Sequence, residues 1–231
     1  MQTLGAAFKF LTVWGCLTSA RPALETVGKA AVYFPYVGLV LGLLLALTNY
    51  LLAPYVAAEI LNLILVTLLI VITGAQHLNG VKISFDMLAA NTGRANETVG
   101  FAAVVLVILF KSAAADSMDE RLTLTLLLTP VLARWALLIF LYGYHSRFDE
   151  TARPIAERVN LRPVLATTVA TLALTVYFLG RKGLWIALVI SLFALLLRSL
   201  FYRRHAVLSQ ANLGATVELG EVLSLALLAS Y

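Results

Sequence analysis

A short polar segment interrupts a chain that is otherwise almost continuously apolar. It reads Gln-His-Leu-Asn-Gly-Val-Lys-Ile-Ser-Phe-Asp over residues 76–86. If this segment is helical, Asn79, Lys82 and Asp86 share one face, because residues three, four and seven positions apart lie on the same side of a helix. His77 would enter that surface from the preceding turn. This grouping predicts a site for a cation or a phosphate, and a solvated loop in which Asn79 caps a helix is the alternative.

Two carboxylates, Glu218 and Glu221, lie three residues apart in the last apolar stretch of the chain, 213–230. On a helix they would share one face, about one to two turns inside its end. Carboxylates at membrane depth are costly unless they are paired or bound to a cation. Two interpretations therefore stay open: a metal site, or a structural ion pair with Arg134 or Arg198.

The composition identifies an integral membrane protein. Of 231 residues, 61% are hydrophobic and only 13% are charged, and the mean hydropathy is +0.92. About 20 apolar residues are needed to cross a hydrocarbon layer of roughly 30 Å. Seven runs approach this length: 32–53, 56–73, 99–115, 122–142, 163–179, 183–201 and 213–230.

These runs lack the two-residue alternation of a membrane barrel, and only helices then satisfy the backbone in lipid. The predicted fold is all-α, a polytopic transmembrane bundle of about seven spans. We expect one integral membrane domain over 1–231, with 1–30 as an interfacial or packed N-terminal helix and 32–231 as the bundle. Lys9 splits the first apolar stretch, so a cleaved signal peptide is not expected. The single cysteine, Cys16, excludes a CxxC metal site.

The basic residues predict the orientation in the cell membrane, because Lys and Arg beside spans are retained in the cytoplasm. With seven spans, 12 of the 17 fall on one side, Arg134 lies within a span, and four fall on the other side, namely Lys111, Arg121, Arg181 and Lys182. The polar segments 74–98, 143–162 and 202–212 then share the cytoplasmic side. We expect the functional face there, and we interpret the basic pI as a topology signal that implies no nucleic-acid partner.

Several short motifs, in this order and spacing, carry a resemblance over nearly the whole chain. They are Phe10-Leu11-Thr12, Tyr33-Phe34-Pro35 with Val37-Gly38, Thr73-Gly74 with His77-Leu78 and Gly80, Arg134-Trp135-Ala136, and Leu213-Gly214-Ala215 with Glu218-Leu219 and Glu221. The chain resembles the adenosylcobinamide-GDP ribazoletransferases, also called cobalamin (5′-phosphate) synthases, which are polytopic membrane enzymes.

The chain departs from this family at acidic positions. The family pattern H-L-D-G-L-A-D-T-x-D-G places aspartates at Asn79, Ile83 and Asp86, and only the last is retained. The C-terminal pattern G-D-x-L-G-A-x-x-E-L-x-E loses its aspartate at Ala211 and keeps both glutamates. Fewer carboxylates predict weaker divalent cation binding, because each remaining one must offset more of the ion's charge.

The resemblance implies transfer of the cobinamide phosphate moiety of adenosylcobinamide-GDP to α-ribazole or its 5′-phosphate, with release of GMP and with Mg²⁺ as cofactor. A diphosphate substrate requires a cation, carboxylates to hold it and basic groups for phosphoryl charge. The expected metal ligands are Asp86, Glu218 and Glu221, with loop acids such as Asp149 and Glu150 as further candidates. The expected catalytic residues are His77, Asp86 and Arg134. The expected substrate-binding residues are Asn79, Lys82, Arg94 and Gly214.

Other interpretations stay open at this point. Lys82 and Arg94 also fit a purely topological role, and Arg134 also fits an ion pair within the bundle. The chain could be a family relative without catalysis that serves as a membrane binding or assembly subunit. A small permease is a further alternative, although no internal repeat supports it. A homo-oligomer is compatible with all of these functions.

Overall fold

The computed structural model describes residues 2–14, 22–90, 98–116, 121–143 and 145–230, and these residues are predominantly helical. The α-helices are α1 (Gln2–Leu11), α2 (Leu24–Ala30), α3 (Phe34–Leu52), α4 (Ala58–Ile72), α5 (Gln76–Ala90), α6 (Thr98–Asp116), α7 (Leu122–Leu141), α8 (Arg153–Ala156), α9 (Leu161–Leu179), α10 (Arg181–His205) and α11 (Gln210–Ala229). Short 3₁₀ helices cover Ala31–Tyr33 and His145–Arg147.

The described part of the chain contains six helical segments that are long and apolar enough to cross a membrane. They are the continuous segment Leu24–Leu52, which joins α2 to α3, and the helices α6, α7, α9, α10 and α11. Helices α4 and α5 form a bent pair that makes a seventh candidate span. The prediction of an all-α bundle with about seven spans is therefore confirmed.

The second predicted span differs from the expectation. Run 56–73 was expected to cross the membrane and lead into a polar loop, but α4 has only 15 residues, and the chain then bends by 85° into α5. The bend lies at Gly74 and Ala75, whose φ angles are +61° and +55°. Because α5 already begins at Gln76, Asn79 is not a helix cap; its N–H donates to the Ala75 carbonyl at 3.0 Å.

Helix α7 is the centre of the bundle, with 83% of its apolar window buried. Helix α3 approaches it closely because two glycines face it. A Cβ added at Gly38 would lie 2.3 Å from the Pro130 carbonyl oxygen, and one at Gly42 would lie 2.3 Å from the Leu127 carbonyl oxygen. Small residues of this kind let helix backbones pack tightly in membranes.

The polar helix α5 lies directly against the last helix, α11. A Cβ at Gly80 would lie 2.6 Å from the Ala211 carbonyl oxygen and 2.9 Å from the Gly214 Cα. The amide of Asn212 also donates to the Ser84 hydroxyl at 2.9 Å. These contacts fix the first turns of α5 beside the first turns of α11.

The N-terminal helix α1 packs against α2 and α3. Ala6, Ala7 and Leu11 are buried, and the ring of Phe10 stacks on Phe34 with centroids 5.8 Å apart. This packing places Phe10 near the start of α5.

Candidate functional site

A cavity of about 460 Å³ opens where α5 meets the start of α11. Its polar lining residues are Gln76, His77, Asn79, Asp149, Thr151, Ser209 and Gln210, and its other lining residues are Phe10, Gly80, Ile83, Leu137, Ala211, Leu213 and Gly214. This volume is in the range of pockets that take one small ligand. All three polar segments that were predicted to share one side of the membrane contribute to its wall.

The Asp149 loop closes one side of the cavity. The Asp149 N–H donates to the Leu208 carbonyl at 2.9 Å, and Leu208 in turn donates to the Arg147 carbonyl at 2.9 Å. The Asp149 Oδ1 atom accepts the N–H and the hydroxyl of Thr151 and the N–H of Ala152. The loop is thereby held against the segment that leads into α11.

His77 lies in the first turn of α5 and lines the cavity. The residue is 6% exposed, and its Nε2 atom has no hydrogen-bond partner among the described residues. A buried polar atom without a partner is unusual and costly, so this nitrogen is a candidate for a functional role. His77 is also within electrostatic reach of Arg134 and Glu221.

Behind the cavity lies a cluster of four buried ionisable side chains, Lys111, Arg134, Glu218 and Glu221, which we name the ion quartet. The Lys111 ammonium contacts both carboxylates, and Arg134 Nη1 contacts Glu221. Each of the four residues is at most 3% exposed. Two formal positive charges thus balance two formal negative charges away from water.

The ion quartet matches the ion-pair interpretation of Glu218 and Glu221. Arg134 is one of the two partners that this interpretation named. The other, Arg198, instead donates to backbone carbonyls at the end of α7, including that of Tyr142, the residue just after this helix, at 2.7 Å. Arg134 does not line the cavity, so its expected catalytic role has no direct contact to support it.

Lys111 is the member of the quartet that sequence reasoning missed. It was counted among the basic residues of the non-cytoplasmic side, but it is buried inside the bundle in α6. Its position within the apolar run 99–115 could have indicated a buried ion pair, because an ionisable residue inside a span requires a partner. Its partners are 107 and 110 residues away along the chain, which no local pattern reveals.

Asp86 does not join the other expected metal ligands. Its Oδ2 atom accepts from Lys82 Nζ at 2.9 Å, and its Oδ1 atom accepts the Gly100 N–H at 2.8 Å. The carboxylate therefore ties α5 to the first turn of α6, where a negative charge is favourable. Lys82, expected to bind substrate, forms this ion pair, and neither residue lines the cavity.

We expect Asp86→Asn to lower the free energy of unfolding by about 1 kcal/mol, because it loses the ion pair but keeps an acceptor for Gly100. Asp86→Ala should cost about 1–2 kcal/mol, since it also removes the cap of α6. Thermal unfolding in detergent measures both. Unchanged stability together with lost Mn²⁺ binding in Asp86→Asn would instead support the expected metal role.

Of the remaining expected site residues, two lie at the cavity and one lies outside the described part of the chain. Asn79 and Gly214 line the cavity with His77. Gly214 also serves packing, because a Cβ there would lie 3.2 Å from the His77 Cα. Arg94 lies outside the described residues.

The expected Mg²⁺ ligands do not fit an ion held by the protein. Asp86 is bound to Lys82 and α6, and both glutamates are bound to cations of the ion quartet. Within the described ranges, no group of three or more His, Cys, Asp or Glu residues is arranged to hold a metal. Asp149 is the one carboxylate among the residues known to line the cavity.

The positions at which this chain departs from the family's acidic pattern lie close together in the structure. Asn79, Ile83 and Ala211, the three positions where this chain lacks an aspartate of that pattern, all line the same cavity. The retained acids Asp86, Glu218 and Glu221 all lie outside its lining. Relative to the family pattern, the cavity of this chain therefore lacks three carboxylates.

Comparison with known proteins agrees with the resemblance. The family model "Cobalamin-5-phosphate synthase" matches residues 3–229. A relative from Geotalea daltonii named adenosylcobinamide-GDP ribazoletransferase is 32% identical over 230 residues, which cover 95% of this chain and 93% of the relative. A protein of the same name from Pseudomonas putida is 32% identical, covering 96% of this chain and 97% of the relative. No solved structure matches this chain. The chain belongs to the cobalamin-5-phosphate synthase family.

Proposed function

We propose that this chain is an adenosylcobinamide-GDP ribazoletransferase, which transfers the cobinamide phosphate moiety to α-ribazole or its 5′-phosphate and releases GMP late in cobalamin biosynthesis. The observation that carries this proposal is the family match over residues 3–229. The relatives that bear this name align over nearly their whole length. Both substrates are then small molecules that meet at a membrane protein.

The cavity beside α5 is the active site in this proposal, and it faces the cytoplasm of a multi-pass protein in the cell membrane. The bias of basic residues supports this orientation. With Lys111 placed inside the bundle, the sequence-based topology has 12 basic residues on the predicted cytoplasmic side against 3 on the other side.

His77 is the group placed to move a proton in this reaction. A bond forms between a free ribose hydroxyl oxygen of the acceptor and the phosphorus on the cobinamide side, and the bond from that phosphorus to the GMP oxygen breaks. The attacking hydroxyl loses its proton, and His77 is the histidine of the cavity wall, with an Nε2 atom that is buried and has no hydrogen-bond partner among the described residues. Asn79 and Gly214 in the cavity wall orient the acceptor.

The Mg²⁺ requirement stays a prediction. A diphosphate substrate favours a divalent cation, and Mg²⁺ commonly binds through substrate phosphates and few protein groups. An ion that arrives on the donor's diphosphate fits the described residues better than an ion held by the protein, because their carboxylates form no site.

The proposal predicts that His77→Ala reduces product formation by about 10²–10⁴-fold, the usual contribution of a general base. The measurement is cobalamin or cobalamin phosphate formation by purified protein in liposomes supplied with adenosylcobinamide-GDP and the acceptor. Glu59→Gln, at an exposed position in the first turn of α4, is the control and should match the parent. Full activity of folded His77→Ala would contradict the role of His77.

A second candidate function is a membrane binding subunit without catalysis. The loss of the family aspartates at Asn79, Ile83 and Ala211 favours it, since all three positions line the cavity. In the same assay, folded parent protein that binds α-ribazole but forms no product would favour this candidate over the transferase.

A further inference from the structure

A second cavity, of about 250 Å³, lies at the other end of the bundle from the cavity beside α5. We name it the outer cavity. Its lining includes two cationic side chains, Arg121 and Lys182, and four apolar ones, Leu124, Phe178, Leu179 and Leu228. Leu124 and Leu137, which lines the cavity beside α5, are both on α7, and the helix between them is about 20 Å long at 1.5 Å per residue. The two cavities are therefore separate sites.

The outer cavity collects the basic residues of the predicted non-cytoplasmic side. With Lys111 inside the bundle, those residues are Arg121, Arg181 and Lys182. Arg121 and Lys182 line the cavity, and Arg181 is next to Lys182 in the chain. Lys and Arg beside spans are disfavoured on this side of a membrane, so their presence at one place indicates a local role. No described lining residue is acidic, and the cavity therefore favours an anion.

Two helices begin at the outer cavity and add to its positive potential. Helix α7 begins at Leu122 and α10 begins at Arg181. The first turn of a helix carries N–H groups without a partner in the helix and a partial positive charge. The residues that precede the two helices, Arg121 and Gly180, have no side-chain oxygen that could accept from these N–H groups. The helix ends therefore reinforce the preference for an anion.

Exposed aromatic residues place this end of the bundle at the level of lipid headgroups. Tyr177 lies near the end of α9 and Trp185 near the start of α10, and both are exposed. Tyr50 and Tyr55, around the end of α3, are exposed as well. Tyr and Trp are enriched where a membrane meets water. An anion at this depth is the phosphate of a lipid, and the apolar wall of the cavity suits the chains below it.

We propose that the outer cavity binds the headgroup of an anionic phospholipid, with Arg121 and Lys182 on its phosphate and with Leu124 and Phe178 against its glycerol and upper acyl chains. A zwitterionic headgroup also carries an ammonium group, which the two cations repel. Basic pockets between membrane helices bind anionic headgroups in this way. The lipid joins the ends of α7, α9, α10 and α11, and its binding does not depend on the proposed transferase function.

The first experiment titrates the full protein in detergent with phosphatidylglycerol and follows bound lipid by native mass spectrometry. We expect one saturable site that binds phosphatidylglycerol at least tenfold more tightly than phosphatidylcholine and from which inorganic phosphate does not displace it. Arg121→Gln with Lys182→Gln should weaken binding about 30-fold, the effect of two basic residues beside anionic lipid. Arg162→Gln with Arg203→Gln, at exposed positions near the other ends of α9 and α10, is the matched control and should bind like the parent.

The second experiment fills the outer cavity without a change of charge. Leu124→Trp, at a half-buried position in the cavity wall, should weaken phosphatidylglycerol binding at least tenfold. Leu188→Trp, at an exposed position of α10, is its control and should bind like the parent. Thermal unfolding with and without the lipid gives an independent readout. Added phosphatidylglycerol should raise the Tm of the parent and of Leu188→Trp, and it should raise that of Leu124→Trp much less.

Each contrary result overturns a defined part of this inference. Equal binding by the two paired charge variants would show a diffuse surface effect without a site at Arg121 and Lys182. Equal affinity for phosphatidylcholine would overturn the preference for an anionic lipid, and displacement by inorganic phosphate would make the cavity a site for free anions. Unchanged binding by Leu124→Trp would place the lipid elsewhere on the protein. These measurements involve no product formation, so failure of the transferase proposal would leave the lipid site intact.

Discussion

Lys111→Met is expected to lower the free energy of unfolding by about 3–5 kcal/mol, the usual cost of removing one partner from a buried ion pair. Lys111 contacts both carboxylates of the ion quartet, and the ion pair of Arg134 among the described residues is with Glu221. Without the lysine, Glu218 keeps a buried charge with no cation in contact. Denaturant titration in mixed micelles, followed by the fluorescence of the three tryptophans, measures the change.

The double variant Lys111→Met with Glu218→Gln tests the cause. It removes one charge of each sign and leaves the pair of Arg134 and Glu221 intact, so it should recover much of the lost stability. The exposed pair of Arg158 and Glu25, 2.7 Å apart, is the control, and the same substitutions there should change stability by less than about 1 kcal/mol. If the double variant is less stable than either single variant, charge balance is not what holds the quartet.

Gly80→Val is expected to reduce product formation by about 100-fold or more. A Cβ at Gly80 would lie 2.6 Å from the Ala211 carbonyl oxygen and 2.9 Å from the Ala215 nitrogen, so α5 must move away from α11. Both helices form walls of the cavity, and a displacement of about 1 Å in a positioned site can cost 10²-fold in rate. The measurement is the liposome assay for product, alongside thermal unfolding.

Gly5→Val is the matched control for this prediction. An added Cβ at Gly5 meets nothing within 4 Å, so both stability and product formation should stay near those of the parent. A milder variant, Gly80→Ala, should lie between the parent and Gly80→Val. Activity of Gly80→Val equal to that of Gly5→Val would show that the contact of α5 with α11 does not position the site.

The bundle could be predicted from sequence because lipid leaves the backbone few choices. Long apolar runs without alternation must be helices, and this placed α7, α9 and α10 within a few residues of where they lie. The bend at Gly74 and Ala75 was not predictable in the same way, since Ala75 has a positive φ angle that alanine seldom adopts.

The site was predictable only where its residues are close in sequence. His77 and Asn79 were selected from a local pattern, and both line the cavity. The pairing of Lys111 with Glu218 depends on packing between α6 and α11, which periodicity cannot specify. Asp86 was predicted to bind a metal. A carboxylate can bind a metal or cap a helix, and sequence does not distinguish the two roles. The contact of Asp86 with the Gly100 N–H favours capping.

The short helix α4 affects the membrane around the protein. Fifteen residues at 1.5 Å each span about 22 Å, which is less than the roughly 30 Å of a typical hydrocarbon layer. Such hydrophobic mismatch is relieved when the surrounding lipid thins. Because α5 leaves α4 at 85°, we expect headgroups and water to lie deeper beside the helix that carries His77 than elsewhere around the protein. A polar ligand would then have a path to the cavity beside His77 that does not cross acyl chains.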